Sequence, residues 1–243
     1  MKINQILNKI DESQLFVPAF QREYVWKRKD AKNLIDSLIK DYPTGTMLTW
    51  ETNNPPELKG AHKYDAKQGS VKIILHCQQR IPTLYILMTG NIPPYYKEDD
   101  ITHDIKPLYV NIETLELEYY KKNMMATNPL WIHITDVFKD KVRKRNVVEK
   151  LVELKNGEYI PRELDYKLED NFHAIRRIRD KDFKEQEVPT EATIKEAIDI
   201  FYIVNAAGVN LTDAELALAQ ISGYWPEARE LFKKKLKKLN ESG

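Results

Sequence analysis

The chain has 243 residues, is 42% hydrophobic, and sets 38 lysines and arginines against 37 aspartates and glutamates, a formal net charge of +1. That length and apolar content support a real core, and the charge balance lacks the basic excess of a strong non-specific DNA binder, so any nucleic-acid contact has to be local. A single cysteine, Cys77, with five histidines, excludes a disulfide framework and a cysteine-based zinc site and suits a reducing, cytoplasmic setting. The opening "MKINQILNKIDES" lacks a signal-peptide core, and no run of about 18 apolar residues occurs.

In chain order, "SQLFVPAFQREYVW" (13–26) mixes β-branched and aromatic residues around Pro18, which predicts an edge strand running into a loop that carries Gln21 and Arg22. From Asp30, the apolar residues Leu34, Ile35, Leu38, Ile39 and Tyr42 recur at helical spacing. "YPTG" stops that helix ahead of a short strand, "TMLTW". Residues 51–70 read as turns, and "VKIIL" reads as a buried strand. Pro82 is tolerated at the first helical position and poorly further in, which places a helix start at Ile81 or Pro82 and leaves His76 to Arg80 as a strand-to-helix turn. Residues 108–120 predict a strand or hairpin, and "NPLWIHITDVF" another extended piece. Beyond about residue 140 amphipathic helices dominate, around Val147 to Val152, Leu164 to Ile175 and Ile194 to Phe201, with Thr212 and Glu215 at capping-box spacing for a further one. The expected organisation is an α/β part over 1–138 and a helical part over 139–243.

The turn "HCQQR" (76–80) is where chemistry concentrates. A polar turn at a helix start presents unpaired N–H groups and a partial positive charge, and Arg80 adds a planar donor fork suited to phosphate. Gln78 and Gln79 suit a base, a ribose or an attacking water, or they simply cap the helix and meet solvent. "FQR" (20–22) places a second Gln-Arg pair at another strand end. If the two strand ends lie side by side in one sheet, the pairs converge on a polyanion pocket.

Three stretches also resemble a known family. "VPAFQREYVWKRKDAKNLIDSLIKDYPTGTMLTW" (17–50), "HCQQRIPTL" (76–84) and "FYIVNAAGVNLTDAEL" (201–216) are similar, in order, to motifs of the GmrSD-type restriction endonuclease N-terminal domain. Their usual forms are I/V-P-x-x-Q-R-x-Y-x-W followed by a helix and P-x-G, then D-G-Q-Q-R-x-T-T-L, then F-x-x-x-N-x-x-G-x-x-L-T-x-x-E-L. The resemblance implies an α+β fold related to the ParB and sulfiredoxin superfamily, a mixed-sheet N-terminal part followed by helices. It also implies an NTP-hydrolysing sensor module of modification-dependent DNA restriction, with magnesium accompanying the nucleoside triphosphate, modified DNA as a possible ligand, and an HNH-type nuclease domain or subunit as partner. His103, His133 and His173 stand outside any HNH context. By the same resemblance, Gln21 and Arg22 line the nucleotide pocket. Gln78, Gln79 and Arg80 contact phosphates, Thr83 takes a motif threonine position, and Asn205 closes the pocket from the helical side or else caps its helix. Gln21, Arg22, Gln79 and Arg80 are the expected catalytic set, with no protein metal ligand.

Two departures stand out. His76-Cys77 replaces Asp-Gly and Pro82-Thr83 replaces Thr-Thr, so the carboxylate suited to magnesium is gone and a side chain occupies a position that favours glycine. A non-hydrolysing nucleotide- or DNA-binding module is therefore the alternative. A sulfiredoxin-like thiol enzyme is a third reading, although its cysteine stands two residues before the arginine and Cys77 stands three before Arg80. Tyr24 and Trp26 can stack on a base or join the core. The basic runs 139–145, 176–181 and 233–238 can face DNA or solvent.

Overall fold

The computed structural model of the protein describes residues 1–21, 23–60, 65, 67, 69–101 and 103–206, and beyond these 217, 221, 225, 228, 231, 232, 234, 235 and 238. The architecture is α+β, a mixed sheet followed by a mainly helical C-terminal part, as the sequence leads one to expect. Strands β1 (Leu15–Phe16), β2 (Thr46–Thr52), β3 (Val71–Ile74) and β7 (Lys184–Val188) form one sheet in the order β1-β3-β2-β7. In it β1 runs parallel to β3, β2 antiparallel to β3, and β7 parallel to β2. A second, antiparallel sheet joins β4 (Leu108–Asn111), β5 (Leu117–Tyr119) and β6 (Trp131–His133) in the order β5-β4-β6.

The main sheet is apolar on both faces because β2 and β3 alternate between two cores. Met47 and Ile74 face the larger core, whereas Leu48, Trp50, Val71 and Ile73 face the smaller one. The larger core is filled by α1 (Ile3–Asp11), α2 (Arg28–Ile39), α3 (Arg80–Thr89), α5 (Ile134–Phe138) and α7 (Arg162–Arg176). The smaller one is covered by α8 (Ile194–Ala206) through Ala197, Ile198 and Phe201. Short helix α4 (Lys122–Met125) and helix α6 (Lys144–Leu154) add Met125, Val147 and Leu151 to the larger core. Helix α3 is buried on all sides, from Ile81 to Met88, and ends at the left-handed Gly90, φ +75°. A helix without a polar face fixes whatever stands at its first turn.

Several elements depart from the reading above. Of "NPLWIHITDVF", read as extended, only Trp131–His133 is a strand, and Ile134–Phe138 turns into helix α5, which buries Ile134, Val137 and Phe138. Helix α1 is one that reading leaves out, although Ile3, Ile6, Leu7 and Ile10 stand at helical spacing and are buried. Strand β7 interrupts the helical half. Of its residues only Val188 is buried, so no apolar alternation announces it; main-chain pairing with β2 and the Lys72–Glu185 ion pair at 2.9 Å hold it instead. Burial opposes ionisation of Glu185, yet the bonds from Lys72 and Thr49 outweigh this and hold its carboxyl below the usual range. Finally, α3 begins at Arg80 with Gln79 as N-cap, so Pro82 is its third residue. Its missing N–H still falls in the first turn, where amides have no intrahelical acceptor. The turn at Thr212 and Glu215 and the basic run at 233–238 lie outside the continuously described residues.

Candidate functional site

The site grows from the parallel pairing of β1 with β3, in which Leu15 is paired with Lys72 and Phe16 with Ile73. Parallel strands deliver their C-terminal ends to the same edge of a sheet, so the segment after Phe16 and the turn after Ile74 emerge together. Gln21 then reaches back and binds the two segments. Its Nε2 donates to the carbonyls of Ile74 at 2.6 Å and Leu75 at 3.1 Å, and the residue is 0% exposed. Because a carbonyl only accepts, those two bonds fix which end of the amide is nitrogen. The Oε1 of Gln21 is buried and has no partner among the described residues.

Gln79 laces the same two segments from the other side. Its Oε1 accepts from the backbone N–H of Val25 at 2.8 Å and of Trp26 at 3.3 Å, and its Nε2 donates to the carbonyl of Glu23 at 3.0 Å. All three bonds go to the loop that follows Gln21. Thr83 lies beneath: its hydroxyl donates to the Gln79 carbonyl at 2.7 Å, so the phenol of Tyr24 must be the donor in the 2.7 Å Tyr24–Thr83 bond. Burial raises the Tyr24 phenol well above its ordinary value, against the opposing bond to Thr83. Tyr24 thus belongs to the core at 0% exposed, and Trp26 packs half-buried against it.

The turn itself is strained. Cys77 adopts φ +79°, the left-handed region that a glycine occupies without cost and that costs another residue roughly 1 kcal/mol or more. Its thiol donates to the Thr46 carbonyl at 3.2 Å, and its sulfur accepts from Nη1 of Arg80 at 3.3 Å. Burial pushes the thiol up, against the pull of the Arg80 charge. A protonated, buried sulfur held by two bonds is a poor nucleophile. Arg80 is half-buried and lies against the loop before β2, where Gly45 at φ +86° leaves room for it: a Cβ on Gly45 would stand 2.6 Å from Nη1. Among the described residues, none of the ion pairs found pairs Arg80 with a carboxylate.

Gln78 is 7% exposed, and its Oε1 is another buried oxygen at this turn without a partner among the described residues. The structure thus brings Gln21, Gln78, Gln79, Arg80 and Thr83 to one sheet edge. Arg22 lies outside the described residues. Asn205 stands in the last turn of α8; its side chain, like Gly208 beyond it, is outside them too. Phe201, one turn earlier, meets Phe20 edge-on with ring centroids 5.8 Å apart, which ties α8 to the residue before Gln21. Gly45 is the contributor that reading the sequence element by element passes over, since "PTG" also serves as an ordinary helix stop.

Around this turn the donor set does not fit a protein-held magnesium ion. The free oxygens are neutral amides, His76 stands where the resembled motif has aspartate, and among the described residues no cluster of His, Cys, Asp and Glu side chains suits a metal. Among them, too, no helix is long and apolar enough to cross a membrane.

An α+β sheet with two Gln-containing segments meeting at the start of a buried helix is the architecture of this site, and the comparisons with known proteins give the chain a family. Residues 3–222 match the family model of the GmrSD restriction endonuclease N-terminal domain. The chain belongs to that family, over nearly its whole length. It is also 34% identical over 98 residues to an uncharacterized protein of Methanocaldococcus jannaschii; the match covers 36% of this chain and spans only 17% of the length of that curated relative.

Proposed function

We propose that this chain is the NTP-binding and NTP-hydrolysing sensor module of a modification-dependent DNA restriction system, acting in the cytoplasm with an HNH-type nuclease domain or subunit. The observation that carries the reading is the Oε1 of Gln21, buried, fixed in orientation by two main-chain carbonyls and left without a donor among the described residues. Such an oxygen costs roughly 1–3 kcal/mol if it stays unpaired, so it belongs to a site that a ligand completes. A water donating one hydrogen to it is oriented for attack on a phosphoryl group, the part a glutamine plays in other phosphoryl-transfer sites. Arg80, with no carboxylate partner among the described residues, supplies a fork for phosphate oxygens. Arg22 and Asn205 are proposed as further pocket residues, and Gln79 and Thr83 as the frame that holds the segments. A magnesium ion is expected to travel with the triphosphate, held by its phosphates.

Phosphate release from all four NTPs, measured for the natural chain and for Gln21→Leu and Arg80→Ala, tests this. Turnover by the natural chain that both substitutions reduce supports the proposal; absence of both turnover and nucleotide binding removes it. A specific observation favours the non-hydrolysing alternative: no carboxylate stands in the 76–80 turn. In that case the chain binds triphosphate without turnover, and the double substitution His76→Asp with Cys77→Gly confers turnover.

A further inference from the structure

A cleft of about 620 Å³ opens beside the second sheet, between β6, the segment after α4 and helix α6. Its volume suits a small organic ligand. Ring-bearing side chains line it: Trp131, 8% exposed, and Tyr109, which meets His133 at 5.3 Å between centroids. Its polar groups have orientations that can be read. Nε2 of His133 faces the carbonyl of Lys106 at 2.8 Å, and a carbonyl only accepts, so Nε2 carries a proton and, in the neutral ring, Nδ1 presents a lone pair. That lone pair stands 3.8 Å from Oδ2 of Asp136. Two acceptors at this separation match the two hydrogens of a single amino group. Oδ1 of Asn146 accepts from the N–H of Arg143 at 3.0 Å, and Oδ1 of Asn128 accepts from the N–H of Leu130 at 3.0 Å. Both amides are thereby fixed with their NH2 ends left to donate.

From this pattern we infer that the cleft binds a planar nitrogen heterocycle bearing an exocyclic amine: the amine bridges His133 and Asp136, and a ring nitrogen accepts from an asparagine NH2. Amino-bearing nucleobases have this donor-next-to-acceptor edge; uracil and thymine lack the amine. The site is built on other elements than the Gln21–Arg80 edge and does not rest on triphosphate binding there.

Calorimetric titration of the full chain with adenosine, cytidine and uridine tests the inference. Adenosine or cytidine is expected to bind at least tenfold more tightly than uridine. Asp136→Asn is expected to abolish that preference, and Ala126→Trp, an exposed position on the rim whose indole fills the cleft, to abolish binding. Arg80→Ala leaves nucleoside binding unchanged, which separates this site from the triphosphate site. Oligo-dC against oligo-dT distinguishes the source of the ring: the same preference on the oligonucleotides shows a base arriving on DNA, and a preference seen with nucleosides alone shows a free compound. Equal affinity for all three nucleosides, no heat at about 1 mM ligand, or binding that survives Ala126→Trp overturns the inference.

Discussion

The guanidinium of Arg80 occupies the space in which a side chain at Gly45 would begin, with Nη1 2.6 Å and Cζ 3.3 Å from the position of a Cβ there. Gly45→Ala therefore meets two penalties, a left-handed backbone that costs an alanine about 1–2 kcal/mol and the displacement of Arg80. Urea denaturation is expected to show a loss of that order, with triphosphate affinity weakened about tenfold, or about 1.4 kcal/mol. Unchanged affinity in the folded variant shows that Arg80 does not hold the phosphates.

Gln21 is asked to do two things, and one pair of measurements separates them. Gln21→Leu keeps the bulk but strips the donor from the Ile74 and Leu75 carbonyls, at a cost of roughly 1–3 kcal/mol of stability. If its Oε1 also orients water, phosphate release per folded molecule falls about 100-fold or more. Release that tracks only the folded fraction reduces Gln21 to a tie between segments.

Gln79 is expected to be a frame residue. Gln79→Ala leaves the N–H groups of Val25 and Trp26 and the carbonyl of Glu23 without their described partner. Hydrogen exchange at the Val25 amide is expected to rise by an order of magnitude or more, with strands β2 and β3 unaffected. Uniform destabilisation of the whole sheet contradicts this local role.

Cys77 gives a pH signature. Burial raises its thiol in the folded chain, so the folded state holds this proton more tightly than the unfolded state. The resulting stability is fully present below the ordinary thiol value near 9.0 and is lost as pH climbs through the raised folded value. Buried tyrosines contribute with the same sign at still higher pH, so the difference between the natural chain and Cys77→Ala, taken from urea midpoints between pH 8 and 11, isolates the sulfur. A difference that does not change with pH shows the thiol to be unshifted. In native buffer the thiol is expected to react slowly with alkylating reagents, a behaviour opposite to that of a catalytic cysteine.

Much of the site was legible because its signals are local. The Gln-Arg pairs, the helix after the 76–80 turn, though not its first residue, and the glycine-like position of Cys77 are each written within a few residues, and periodicity located the strands that lead into them. What periodicity could not reveal was β7, whose residues are mostly exposed and whose place depends on hydrogen bonds to β2 rather than on apolar pattern. Nor could spacing reveal that Gln79 turns its amide toward the 23–26 loop, since that depends on parallel pairing of β1 with β3. The packing of Arg80 against Gly45 has the same origin, two segments far apart in sequence whose contact no single window contains. The two basic runs at 139–145 and 176–181 are likewise joined only in space, by Asp140, which pairs with Arg176 at 2.9 Å and Arg179 at 3.7 Å.

The position of β7 has a consequence for how the chain comes off the ribosome. Its partner β2 is complete by residue 52, yet the bond from Thr49 to Glu185 spans 136 residues of sequence. Until those residues emerge, one margin of β2 presents bare N–H and C=O groups, a template open to any passing strand. Helix α1 waits as well, because Ile3 donates to the Lys181 carbonyl and Phe183 to that of Met1. Synthesis at about 5–20 residues per second leaves this margin uncovered for several seconds or longer. Nascent chains stalled between residues 52 and 184 are therefore expected to recruit chaperones or to aggregate, and release of residues 184–188 to end that vulnerability.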